Sequence, residues 1–253
     1  MQQQEVEIST KDGKIETYVF HPDRDCPHPV IIFLMDALGI RQELFDMAQR
    51  LAAPGYYVVM PNLYYRSGVL DVGPHPAPDD AANIARITRD LEELTTPRVM
   101  DAIDAVIAFV DTQSAAAPGP MGCVGYCMSG RFAINVAARH PARIAAAASI
   151  YGTWLMTDAA DSPHLAAARA KAELYLCFAE SDFWTPLTTV SAIAEHLRKS
   201  NASAEVELYA GKEHGFTFPS RPAYDSHANE QHWERLYSLF GRRLTRPRVP
   251  SAG

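Results

Sequence analysis

The chain has 253 residues, 47% hydrophobic and 21% charged, with a formal net charge of −7. That length suits one α/β domain with a full core, and the charge repels nucleic-acid phosphates and anionic membranes, so neither is expected as a partner. Met1-Gln2-Gln3-Gln4-Glu5 lacks the basic-then-apolar order of a secretory signal, no run approaches the ~18 apolar residues of a membrane span, and the four cysteines lack the paired spacing of a zinc site. The expectation is a cytoplasmic protein with free thiols, no metal and no organic cofactor.

Val6–Ser9 and Lys14–Phe20 alternate with a short period around Lys11-Asp12-Gly13, the pattern of a hairpin with a glycine turn. Pro22–Pro29 reads as a loop. Val30–Met35 is a continuous apolar run, as in a strand buried on both faces of a parallel sheet. Leu44, Met47, Ala48 and Leu51 then share one helical face, which ends near Pro54-Gly55. Tyr56–Met60 is the next strand, and an irregular stretch runs on to Asp80. Helices are expected over 80–94 and 97–111, a strand over Met121–Gly125 and a helix over Met128–Arg139. Strands at Ile144–Ile150, Leu174–Phe178 and Val206–Tyr209 alternate with helices over Pro186–Lys199 and Tyr224–Leu244. Strands alternating with helices after a leading hairpin imply a mostly parallel, doubly wound α/β sheet. Residues 1–244 form the single domain, and 245–253 a loosely held tail.

In such sheets reactive groups sit at the carboxyl ends of strands. Gly125-Tyr126-Cys127-Met128-Ser129-Gly130 lies between a strand and a helix, the layout of a nucleophile elbow, with small residues where neighbouring backbone must pass. The start of the following helix favours a thiolate. A cysteine nucleophile needs a base, and the base needs an orienting group. Asp182 follows the strand at Leu174–Phe178, and Glu180 is a possible substitute acid. His214 follows the strand at Val206–Tyr209 in a glycine-flanked loop. Cys127, Asp182 and His214 thus stand in the nucleophile–acid–histidine order of the α/β-hydrolase fold. Cys123 and Cys177, inside strand runs, read as core thiols.

The Cys127 turn, Glu180-Ser181-Asp182, His214-Gly215-Phe216 and Met35-Asp36-Ala37-Leu38-Gly39 together resemble the dienelactone hydrolase family from about Glu5 to Leu244. The resemblance implies an α/β-hydrolase fold and a Cys127–Asp182–His214 triad. It also implies an acid that holds and deprotonates the resting thiol, here Asp36 where the family usually has Glu. The oxyanion donors it implies are the backbone N–H groups of Ala37 and Met128. The arginine that the family carries four residues after the histidine is Phe218 here, with Arg221 nearby and Arg86 in the helical insertion. Aromatic residues at strand ends, among them Tyr64, Tyr126, Trp154, Phe183, Trp184 and Phe216, are candidate walls for an apolar acyl or alcohol group.

The function so expected is hydrolysis of a small-molecule ester or lactone through an acyl-thioester. Alternatives are a non-catalytic binding protein on the same scaffold, a thiol redox sensor, and a hydrolase of an organophosphate or haloacid.

Overall fold

A computed structural model describes residues 1–73 and 80–244. The expected tail from Thr245 lies outside the described residues, as does part of the irregular stretch before Asp80. Eight strands form one sheet in the order β1-β2-β4-β3-β5-β6-β7-β8. The hairpin is β1 (Gln2–Thr10) and β2 (Gly13–His21), paired antiparallel, and Gly13 closes the turn at φ 135°. β2 pairs antiparallel with β4 (Tyr57–Pro61); every later pairing is parallel.

The central strands are β3 (Val30–Leu34), β5 (Met121–Tyr126) and β6 (Ile144–Ile150), and β3 and β5 are buried along their whole length. Both their faces are covered, which is why these segments read as unbroken apolar runs. β7 (Glu173–Ser181) and the edge strand β8 (Ala204–Glu213) run longer than their apolar stretches, carrying polar residues to the sheet's rim. α1 (Gln42–Ala52) buries Leu44, Met47, Ala48 and Leu51. α2 (Ala81–Glu93) is capped by the Asp80 carboxylate on Asn83 N, and α3 (Thr96–Val110) follows. After a short 3-10 turn over Cys127–Ser129 come α4 (Gly130–Arg139), α5 (Pro163–Ala167), α6 (Leu187–Lys199) and α7 (Ser226–Arg243). α5 was not expected, because one short turn opened by Ser162-Pro163 is too brief to show a helical period. No helix among the described residues is long and apolar enough to cross a membrane.

The chain leaves β3 for β4 on one side and later returns to β5 on the other, so the order reverses between β3 and β5. Such a switch point opens a crevice at the strands' carboxyl ends. The register pairs Leu34 with Gly125, Tyr126 with Ile150 and Ser181 with Glu213. Asp36, Cys127, Tyr151, Asp182 and His214 therefore all emerge from one end of the sheet.

Two glycines make the central turn possible. A Cβ at Gly125 would overlap the Ser129 carbonyl, and one at Gly130 would overlap Ser149 Oγ and the Gly152 backbone. Ser129 is accommodated because its hydroxyl donates to Met35 O, tying the turn to the end of β3. Gly125→Ala is expected to destabilise the protein by about 3 kcal/mol, since backbone rather than a flexible side chain would have to move. A urea midpoint for this variant equal to wild type would contradict the packing described.

Candidate active site

Cys127 adopts φ 54°, a left-handed conformation that costs a non-glycine residue of order 1–3 kcal/mol. Among the described residues, two of the three other non-glycine residues with positive φ, Tyr151 (37°) and Trp154 (51°), lie on the adjoining loop after β6. That loop is tied to the turn by Thr153 N donating to Cys127 O at 3.1 Å. Strain in this molecule is thus concentrated around one thiol.

Asp182 directly follows β7. Its Oδ1 accepts from Trp184 N at 2.8 Å and Thr185 N at 3.3 Å, while its Oδ2 lies 2.8 Å from His214 Nδ1. An ionised carboxylate only accepts, so His214 Nδ1 carries the proton and donates, which turns Nε2 toward the cavity. Nε2 is buried and makes no protein hydrogen bond of good geometry. Tyr151 packs its ring edge-on to the imidazole at 4.9 Å and anchors its hydroxyl on Thr217. Burial works against the charged ring, but the adjacent Cys127 and the hydrogen-bonded Asp182 outweigh it and push the His214 pKa up to about 10. Cys123 and Cys177 are fully buried, and desolvation raises both thiols, Cys177 to about 12. The alternative acid, Glu180, instead accepts from Gly211 N at the rim.

Cys127, His214, Ala37, Met128, Trp154, Trp184 and Arg221 share a cavity of about 320 Å³. One wall is the face of α2 bearing Ile84, Ile87 and Leu91, apolar residues at helical spacing that cover the cavity, with Ile87 and Leu91 also packed against the core. Sequence reasoning missed this wall. An apolar stripe on a predicted helix says that something is covered, but not what.

The other expected substrate contacts sit elsewhere. Tyr126 and Phe216 are fully buried, with Tyr126 bonded to His232 and Phe216 stacked on Tyr209. Tyr64 lies behind the wall, its hydroxyl donating to Ala37 O at 3.1 Å and lying 3.5 Å from Met128 Sδ. Phe218 is buried beneath the guanidiniums of Arg41 and Arg221. Phe183 is 89% exposed beside the mouth. Arg86 does not line the cavity, because its guanidinium is held by Val72 O and Asn83.

Asp36 is fully buried and committed to two cations: Arg41 at 2.6 Å on Oδ1 and Arg221 at 2.6 Å on Oδ2. Leu38 N also donates to it, and no described hydrogen bond joins it to Cys127. The shorter aspartate side chain stays within this network instead of reaching the thiol. Glu43 completes the set by holding Arg41 and both Ser220 N and Oγ. Asp36, whose other oxygen is held by Arg41, thereby fixes Arg221 at the cavity wall, where Arg221 Nε is buried and unpartnered.

Comparison with known proteins agrees with this architecture. A family model described as "Dienelactone hydrolase family" matches residues 15–244. A Methylorubrum extorquens protein provisionally named a carboxymethylenebutenolidase is 28% identical over 240 residues, covering 93% of this chain and 79% of its own. An Escherichia coli K12 protein with the same provisional name is 27% identical over 238 residues, covering 92% and 84%. Among solved structures, a Klebsiella pneumoniae protein provisionally named a dienelactone hydrolase superposes with a TM-score of 0.84 at 24% identity, covering 95% of this chain and 98% of its own. The shared architecture is that of an α/β-hydrolase.

Proposed function

The chain belongs to the dienelactone hydrolase family, and from that premise we propose that it hydrolyses small esters or lactones with Cys127 as nucleophile, His214 as base and Asp182 as the group orienting that base. The observation that carries this reading is the strained Cys127 in one cavity with a half-buried His214 whose far nitrogen is bonded to Asp182. Buried ion pairs also occur for structural reasons, but strain, cavity and pair coincide here at the sheet's switch point.

The Cys127 thiolate attacks the carbonyl carbon, forming a C–S bond, and the displaced electron pair rests on the oxygen. That oxyanion would be held by the N–H groups of Ala37 and Met128, which flank the cavity, each typically contributing ~3 kcal/mol. Collapse breaks the C–O bond, and the departing alkoxide takes the proton from the His214 imidazolium. Acylation also removes the thiolate, the largest influence raising His214. The ring therefore becomes a neutral base when a base is needed. It takes a proton from water, whose hydroxide adds to the thioester. Collapse then releases the acid and restores the thiolate, and His214 regains its role as counter-ion. Each half-reaction balances without an external oxidant or reductant.

Asp36 serves this scheme by holding Arg221, whose side chain lines the cavity beside Cys127 and His214. Ile84, Ile87, Leu91, Trp154 and Trp184 favour an apolar or aromatic segment beside the scissile bond. Quenching the protein with acid during turnover of aryl esters and small lactones should trap an acyl group. Peptide mass mapping is expected to place it on Cys127. A label on another residue, or none during measurable turnover, would remove the assignment.

A further inference from the structure

Arg131 lies on the first turn of α4, four residues beyond Cys127. Its guanidinium carbon is 4.4 Å from the ring centre of Phe132 and 4.9 Å from that of Trp154. Nη2 donates to Leu94 O at 3.2 Å, while Nε is buried without a partner. No carboxylate among the described residues lies within ion-pair distance of it, in contrast to Arg41 and Arg221, whose charges Asp36 and Glu43 balance. Desolvation lowers the Arg131 pKa; Tyr64, Cys127 and Asp161 offset part of that cost through space, but no described hydrogen bond or ion pair joins any of them to the guanidinium.

The space beside it is open. Arg131 lines a groove of about 410 Å³ that shares Thr88, Leu91, Trp154 and Trp184 with the Cys127 cavity. Glu92 on this groove and Asp161 farther out are exposed, and water screens them far more than it screens the guanidinium.

We propose that this groove is a second subsite of the active cleft, in which Arg131 binds a carboxylate carried at the far end of an apolar or aromatic segment laid over Leu91 and Trp154. A planar guanidinium pre-set on two aromatic rings gives directed, charge-assisted hydrogen bonds at little ordering cost. The balanced network at Arg221 supplies a neutral-to-cation contrast within one cleft. Arg221 would engage a neutral acceptor near the scissile carbonyl, and Arg131 the charged terminus. Calling this ligand a substrate rests on the reading of Cys127 as nucleophile; the binding of an aryl carboxylate does not.

Calorimetry on the intact chain tests it with 4-phenylbutyrate and its neutral analogue 4-phenylbutyramide. Wild type is expected to prefer the carboxylate by about tenfold or more. Arg131→Gln should erase that preference while leaving amide affinity within about threefold, Arg131→Lys should keep part of it, and Arg221→Gln should leave it standing. Absence of the preference in wild type, its survival in Arg131→Gln, or its loss in Arg221→Gln alone would overturn the subsite. The preference measured in Cys127→Ala separates the two readings. If it persists there while the wild-type protein shows no hydrolysis of any ester, the subsite stands and the hydrolase reading falls.

Discussion

Cys127→Ala is expected to lower kcat roughly 10⁴-fold or more on every ester or lactone that wild type turns over, with the fold intact. Removing the nucleophile of a coupled triad leaves only the background supplied by oxyanion donors and binding. The stability cost should stay within about 1 kcal/mol, because Cys127 is only half-buried and alanine at φ 54° is no more strained than cysteine. Cys127→Gly should be equally inactive yet more stable by about 1 kcal/mol, since glycine relieves the left-handed strain. That opposition of stability and activity at one residue is the signature of strain retained for function. The control is Cys123→Ala, which removes a fully buried sulfur from β5 and should cost stability while sparing kcat. Steady-state kinetics and urea denaturation of the three variants decide the matter. Residual activity above one per cent of wild type in Cys127→Ala, a threshold set at about a hundredth of the expected effect, would exclude this thiol as the nucleophile.

The positions of Cys127, Asp182 and His214 were legible because each immediately follows a strand, and strands buried on both faces announce themselves as apolar runs. The same burial hides the neighbouring aromatics. Tyr126 and Phe216 also stand at strand ends, but with no polar face for contrast the sequence cannot say that they point into the core while Trp154 and Trp184 face the cavity. Arg41 and Thr153 were illegible for a different reason. Their importance arises from register: Leu34 beside Gly125 places Asp36 near the turn, and only then does Arg41 have a buried carboxylate to hold. Asp36 shows the limit of resemblance. Its position corresponds to the family's acid, but one methylene fewer leaves it among arginines instead of against the thiol.

Asp182→Asn should reduce kcat by roughly 10⁴-fold with little change in KM, because the tautomer of His214 depends on what faces Nδ1. Trp184 N and Thr185 N need an acceptor at Oδ1, so the asparagine carbonyl is drawn there and its NH₂ is turned to His214. Nδ1 must then accept, the ring proton moves to Nε2, and the nitrogen facing Cys127 can no longer take a proton. The substitution also removes a carboxylate that raises His214. A histidine whose folded pKa lies above its ordinary value near 6.5 contributes stability that is complete below that value and lost as pH rises through the folded pKa. Wild type therefore draws this contribution near pH 6 and forfeits it toward pH 10. The stability gap between wild type and Asp182→Asn should accordingly be wider at pH 6 than at pH 10 when both are unfolded in urea. A gap independent of pH would mean that Asp182 acts only by ordering the Trp184–Thr185 turn, and a gap that widens with pH would reverse the charge assignment of His214. The kinetic loss and the pH-dependent gap share one cause, the carboxylate at Oδ2, so Asp182→Glu, if it restores the hydrogen bond to Nδ1, should recover part of both together.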